Sequence, residues 1–328
     1  MIKMNKIMLS NEGMTKELDD SIVVNFNGIM ERFGIDEFSI YIHNNTSLYI
    51  YIKDDVKVSF NVNLDNDVSL NLYEVKKDLK TKIKYKYTLL ANSYLKVNKI
   101  NHNIETKELD LINLNGTNAN CDFILKNISN GNDTIDVIIN HNIRETTSNI
   151  KCDGLSVNKG TLNLNVTTII PNGCVRAKAN QDNEIISMNE LNNTIKPLLL
   201  IEEYDVEASH SAKIGSFNED DLFYLKSRGI EEKEAKRLLI NSFLKRNLDD
   251  CEIKKYIDEN ERKYQSICER NRQNGLNGGR PKKEEETQEN PMGYIGIENE
   301  TSKTQVDNLE QNTHISYITN HNSQNHKS

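Results

Sequence analysis

From Val56 onward the chain alternates. Val56, Val58, Phe60, Val62 and Leu64 are apolar, and Lys57, Ser59, Asn61 and Asn63 between them are polar. After the break Asp65-Asn66-Asp67 the pattern resumes at Val68, Leu70 and Leu72. Ile83, Tyr85, Tyr87 and Leu89 then alternate with lysines and Thr88. A period of two sends successive side chains to opposite faces, so these segments read as half-buried strands. Ile135, Val137 and Ile139 continue the theme, as do Leu162, Leu164 and Val166. Asn, Asp and Gly crowd the intervals, where turns are needed. No repeat of constant period is visible, so a sandwich and a coil of stacked strands both satisfy the pattern. Ahead of this β-region (38–217), residues 1–37 read as an N-terminal segment with a short helix predicted over 17–34.

The character changes at Asn218. Glu219, Asp220 and Asp221 follow this cap residue and suit the positive end of a helix dipole. Leu222, Phe223 and Leu225 form an apolar side, and Gly229 is a stop signal. A second helix is predicted over 231–248, with Ala235, Leu238, Leu239, Ser242 and Phe243 on one face. The two helices make a unit over 218–248. A polar third helix is predicted within 249–274. Residues 275–328 are too polar to offset their chain entropy and read as a disordered tail.

Composition narrows the function. The 328 residues carry a net charge of −8, which argues against a chain-wide nucleic-acid or anionic-membrane binder but leaves room for a local basic patch. No apolar run is long enough for a signal peptide or a membrane span. The cysteines Cys121, Cys152, Cys174, Cys251 and Cys268 are dispersed, without CxxC spacing. That fits free thiols in a reducing cytoplasm. There is no G-x-x-x-x-G-K-[ST] phosphate loop, no Ser/His/Asp arrangement and no paired carboxylates that would mark an enzyme.

Residues 198–243 read LLLIEEYDVEASHSAKIGSFNEDDLFYLKSRGIEEKEAKRLLINSF. This stretch resembles the C-terminal signature of the SufB/SufD family, in which a strand leads into an SH-x-A turn and then IG, followed by an acidic helix with LFYL-x-SRGI and a second helix. Residues 137–148 (VIINHNIRETTS) are similar to the family's V-x-V-x-H…T-x-S segment, and Gln181, Ser187 and Pro197 also match. The likeness is good over 130–247 and only pattern-like over 35–130. It implies a right-handed parallel β-helix flanked by helices, in a non-catalytic scaffold of iron–sulfur cluster assembly. It implies pairing with a SufB-like chain through the β-helices, docking of the ATPase SufC on the C-terminal helices, and a reduced N-terminal helical domain. Ser209-His210-Ser211 is more like SufD than SufB, where Glu-His-Glu is usual. A SufB-like role, a homodimer, a β-helix interaction protein without cluster assembly, and a DNA-associated protein acting through a basic tail stay open.

The resemblance puts His210 at the subunit interface as a candidate iron ligand or proton relay, chemistry that imidazole suits. The bland alternative is a histidine bonded to its turn. Cys174 is the candidate thiolate, although free cysteine is more often a small buried hydrophobe. The chain has no clustered cysteines to hold a cluster alone, so any cluster is transient and shared with a partner. His141, beside alternating Ile and Val, reads as structural. Leu222, Phe223, Leu225, Leu239 and Phe243 are the candidate SufC-docking stripe. In the tail, Arg280, Lys282 and Lys283 sit in a Gly-Arg-Pro setting that resembles an AT-hook for the minor groove. The stretch around it also resembles linkers of phage and plasmid replication proteins.

Overall fold

The computed structural model describes residues 5–10, 12–30 and 35–246, together with Arg262, Ser266 and Arg270. Seventeen strands precede two helices. The strands are β1 (Asn5–Ser10), β2 (Gly13–Glu17), β3 (Ile22–Met30), β4 (Ile35–Ile42), β5 (Thr46–Ile52) and β6 (Val56–Leu64). They continue with β7 (Ser69–Lys77), β8 (Lys80–Leu89), β9 (Tyr94–His102), β10 (Glu105–Leu114), β11 (Asn120–Ser129) and β12 (Asn132–His141). The last are β13 (Thr147–Ser156), β14 (Thr161–Ile170), β15 (Ala177–Ser187), β16 (Thr194–Ile201) and β17 (Val206–Gly215). Helices α1 (Glu219–Ser227) and α2 (Glu232–Lys245) follow.

The strands fall into two sheets. One runs β17-β15-β13-β11-β9-β7-β5-β1-β2, the other β16-β14-β12-β10-β8-β6-β4-β3. From β4 onward each strand pairs in parallel with the strand two places on. The chain therefore coils, one strand per sheet and two per turn, into a parallel β-solenoid of about 6 turns. The expected β-helix-like core is correct. The helix predicted over 17–34 is not. Among the described residues of that stretch, Glu17 ends β2 and Ile22–Met30 form β3, which pairs antiparallel with β4 and buries Ile22 and Val24. A weak local helical preference loses to the capping of an apolar end.

The inward residues of both sheets form one core from Ile7 to Ile185. Within it Phe38, Phe60 and Tyr85 stack from rung to rung at 5.8 and 5.0 Å. The repeat escapes a constant period because the rungs lengthen. Stacked turn partners lie 24 residues apart at Asn45 and Ser69, and 31 apart at Glu145 and Arg176. One turn column sits in left-handed backbone at Asp67, Asn92, Asn118, Glu145 and Arg176, with φ between 56° and 62°. Asn and Asp tolerate that region, which explains their abundance there. Their side chains also tie the rungs: Asn118 donates to Asn92 at 3.1 Å and Asn92 to Asp67 at 2.8 Å. At Gly116 a Cβ would stand 1.9 Å from the backbone nitrogen of Ala91, so only glycine lets those two turns stack.

Helix α2 lies on the outer face of the β17-containing sheet. Ile240, Phe243 and Leu244 pack with Ile100, Ile124, Ile128, Leu155 and Ile186. Among the described residues, no helix is long and apolar enough to cross a membrane.

Candidate functional site at the open end of the solenoid

Among the described residues, strands β16 and β17 end their sheets, so each has one paired and one unpaired edge. Register shows what this does to the side chains. Gln181, Asn183 and Ile185 of β15 point into the lumen and are buried. Their partners one rung on are His210, Ala212 and Ile214. These occupy the same inward positions but are exposed, because no rung covers them. Sequence reasoning singled out His210, and the fold places it at the mouth of the lumen.

The floor beneath His210 is polar. The Gln181 amide donates to Thr168 Oγ1 at 2.8 Å and to the Leu198 carbonyl at 3.1 Å. The Asn183 amide donates to the Ser211 carbonyl at 3.2 Å. The side-chain oxygens of both, Gln181 Oε1 and Asn183 Oδ1, are buried without a hydrogen-bond partner. Outward-facing Ser209 and Ser211 donate to Asn180 and Asp182 at 2.7 and 2.8 Å and hold β17 in register.

His141 belongs to the closed interior. Its ring nitrogens meet Thr146 Oγ1 at 2.7 Å and Ser148 Oγ at 2.9 Å, and it is fully buried. Burial lowers its pKa to about 4, so the ring is neutral.

Cys174 is not brought to His210. It is buried in the turn before β15, with its thiol donating to the His141 carbonyl at 3.0 Å. The strand step from Ala177 to Gln181 alone is about 13 Å. Burial, helped by Glu203, pushes the Cys174 thiol up. Cys121 and Cys152 are also free and buried, with thiols pushed well up by burial. Among the described residues, no group of three or more His, Cys, Asp or Glu side chains could hold a metal ion.

The proposed docking stripe divides. Phe223 is 73% exposed and its neighbour Tyr224 56% exposed, on a helix with no buried residue. Leu222, Leu225 and Leu239 are half-buried. Phe243 is buried, so it anchors α2 to the sheet and is no part of a free surface. The buried face of α2 is Ala235, Arg237, Ile240, Phe243 and Leu244, rotated from the expected face that included the exposed Leu238 and Ser242. Arg246 fastens the helix end to Asp153 and Glu184, each at 2.7 Å.

One constellation escaped the sequence reading. Glu74, Lys76, Lys99, Glu108 and Asp110 face one another in the lumen across β7, β9 and β10, all buried. Lys99 Nζ is 2.6 Å from both Glu108 and Asp110, and Lys76 Nζ is 2.6 Å from Glu108. Tyr85 donates to Glu74 at 2.8 Å, and Lys99 Nζ sits 3.7 Å from the centre of its ring. Burial would lower Lys99, but Asp110 and Glu108 raise it well above its ordinary value. Burial would raise Glu108, but Lys76 and Lys99 hold it well below the carboxylate range. Burial pushes Asp110 up, Lys99 opposes this, and Glu108 adds to it. The alternation itself carried the signal: Glu74 and Lys76 continue the inward series of Leu70 and Leu72.

Most of the predicted polar helix within 249–274 and all of the tail, including Arg280, Lys282 and Lys283, lie outside the described residues.

Residues 44–243 match the family described as SUF system FeS cluster assembly, SufBD core domain. Similarity to individual proteins is local. The chain is 41% identical over 76 residues to the iron-sulfur cluster assembly protein SufD of Bacillus subtilis, covering 23% of this chain and 17% of that protein. It is 42% identical over 48 residues to SufD of Escherichia coli, covering 15% and 11%. It is 32% identical over 117 residues to an iron-sulfur cluster assembly SufBD family protein of Pyrococcus horikoshii, covering 32% and 26%. These matches therefore span about a quarter or less of each relative's own length.

Proposed function

The chain belongs to the SufBD core family of the SUF iron–sulfur cluster assembly system, and from that premise we propose that it is a SufD-like scaffold subunit. The open terminal rung carries this reading. Two adjacent parallel edges, β16 and β17, are unpaired on one side, and exposed edges recruit strands. Leu198, Leu200 and Ile214 beside them are 49%, 51% and 47% exposed. A SufB-like chain that adds its own strands there covers these side chains and encloses His210 in the joint.

His210 then faces iron or sulfide delivered as cargo. Its imidazole offers one borderline ligand or a proton relay. The described cysteines are buried and apart, so the partner supplies the thiolates. The serines flanking His210 favour SufD over SufB. Exposed Phe223 and Tyr224 on α1 suit a groove on SufC, which would provide the ATP hydrolysis. The role of this chain is to position, not to catalyse.

Co-purification with SufB and SufC tests both surfaces. Ala212→Glu/Ile214→Glu should release SufB and leave the fold intact. Phe223→Asp/Tyr224→Asp should release SufC and retain SufB. If wild type captures neither partner, the scaffold reading fails.

A further inference from the structure

The outer face of the β16-containing sheet carries a strip of lysines. On β8, Lys80, Lys82, Lys84 and Lys86 all point outward and are exposed. Register places Lys57 of β6 and Lys107 of β10 on either side of Lys82. Lys107 pairs with Glu105 at 3.0 Å, and Glu37 accepts from Asn61 at 2.8 Å. Lys57, Lys80, Lys82, Lys84 and Lys86 have no acidic partner within ion-pair distance among the described residues. The strip is strongly positive on a chain whose net charge is −8.

Two structural explanations fail. Edge strands often carry lysine to prevent aggregation, but β8 is paired on both sides. Stacked like charges also weaken a sheet, and strand spacing of about 4.8 Å sets Lys57, Lys82 and Lys107 directly in line. The fold bears this repulsion with only Glu105, beside Lys80 and paired to Lys107, and Glu37 at its margins. An anionic partner would relieve it.

We propose that this strip docks an extended acidic polypeptide segment. The lysines on β8 recur at every second residue, about 6.6 Å apart, which is also the repeat of alternate side chains in an extended peptide. Single-stranded nucleic acid is less well matched, because the strip has no aromatic platform for bases. The surface is the flat face of a sheet, whereas a nucleic-acid duplex is read by elements that enter its grooves. The cations are all lysine, with none of the arginine forks that recognise phosphate bidentately. A membrane surface would find only the half-buried Leu109 and Leu111, beside Lys84 and Lys86, and no fully exposed apolar side chain to insert.

Fluorescence anisotropy on the full chain tests this with a labelled peptide alternating Glu and Thr. A peptide of the same composition with its Glu residues in one block is the comparison. The alternating peptide should bind several-fold more tightly than the blocked one and weaken steeply between 50 and 200 mM salt (concentrations on the scale of the ~8–10 Å Debye length). Lys57→Thr/Lys82→Thr/Lys84→Thr/Lys86→Thr keeps strand-forming residues and should weaken the alternating peptide by at least about tenfold. The single change Lys84→Glu should weaken it by a smaller factor, and serves if the fourfold variant does not fold. Equal binding by wild type and both variants overturns the proposal. So does a larger loss, in the same variants, for a 20-base-pair duplex or for phosphatidylserine vesicles.

Discussion

Two parts of the lumen present polar side chains at inward positions, with opposite outcomes. Across β7, β9 and β10, five ionisable groups are sealed by rungs on either side and pair with one another, with Asp110 Oδ2 alone of their oxygens left without a partner. At β17, His210 stands at an inward position with no rung beyond it. In the first region burial forces pairing, since an uncompensated charge in a dry interior is costly. In the second, the missing rung leaves an imidazole available for chemistry. In a solenoid, therefore, the direction of a side chain does not decide between structure and function. The presence of the next rung does.

Breaking the sealed region should have the largest effect. Lys99→Met takes from Asp110 its cation and leaves Glu108 with Lys76 as its single cation, and should cost roughly 3–5 kcal/mol in urea unfolding. Adding Asp110→Leu should recover part of it, since one orphaned acid is then gone. No recovery would mean that the charges do not act as one network.

The buried His141 sharpens the comparison through pH. Its folded pKa of about 4 lies below the ordinary 6.5. The unfolded chain therefore binds a proton between those values and the folded chain does not. The stabilisation is fully present above pH 6.5 and is lost as pH falls toward 4, by roughly 3 kcal/mol for a shift of this size. His102, also lowered to about 4 by burial, has the same sign. Wild type minus His141→Asn isolates the one residue. A flat difference across that window would show that His141 is not held neutral by the fold.

The smallest effect on stability belongs to the open end. His210→Ala should change unfolding free energy by less than about 0.5 kcal/mol, as expected for an exposed side chain away from the core. Cluster formation by the assembled complex should nonetheless fall. A large loss of stability would return His210 to a structural role.

Much of this was legible from alternation alone. Val56 to Leu64 and Ile83 to Leu89 announced strands, and the run from Asn218 to Asp221 announced α1, whose cap is observed: the Asp220 N–H donates to Asn218 at 3.1 Å. The motif around His210 picked out the residue but read it as part of a turn, whereas it lies within strand β17. The N-terminal strands were misread because residues 17–34 lack clean alternation. β3 is broken by an irregularity between Phe26 and Gly28, which disrupts the period of two. The face of α2 was misjudged because several rotations of its sequence present apolar residues, and only the sheet beneath selects one.

The sequence by itself determined the strands from Val56 onward, the Asn-, Asp- and Gly-rich intervals where the chain turns, and which segment bears the family signature. These are local properties, set by alternation, by the tolerance of Asn and Asp for positive φ, and by short-range motifs. Only the tertiary structure decided that the strands coil rather than sandwich, that Glu74, Lys99 and Asp110 share one buried site, that Phe243 is core while Phe223 is surface, and that His210 lies at an open mouth. The solenoid outcomes depend on register between residues 22 to 31 positions apart, and the seat of Phe243 on helix–sheet contacts such as that with Lys126, 117 positions away. Rungs of unequal length leave no fixed period from which that register could be counted.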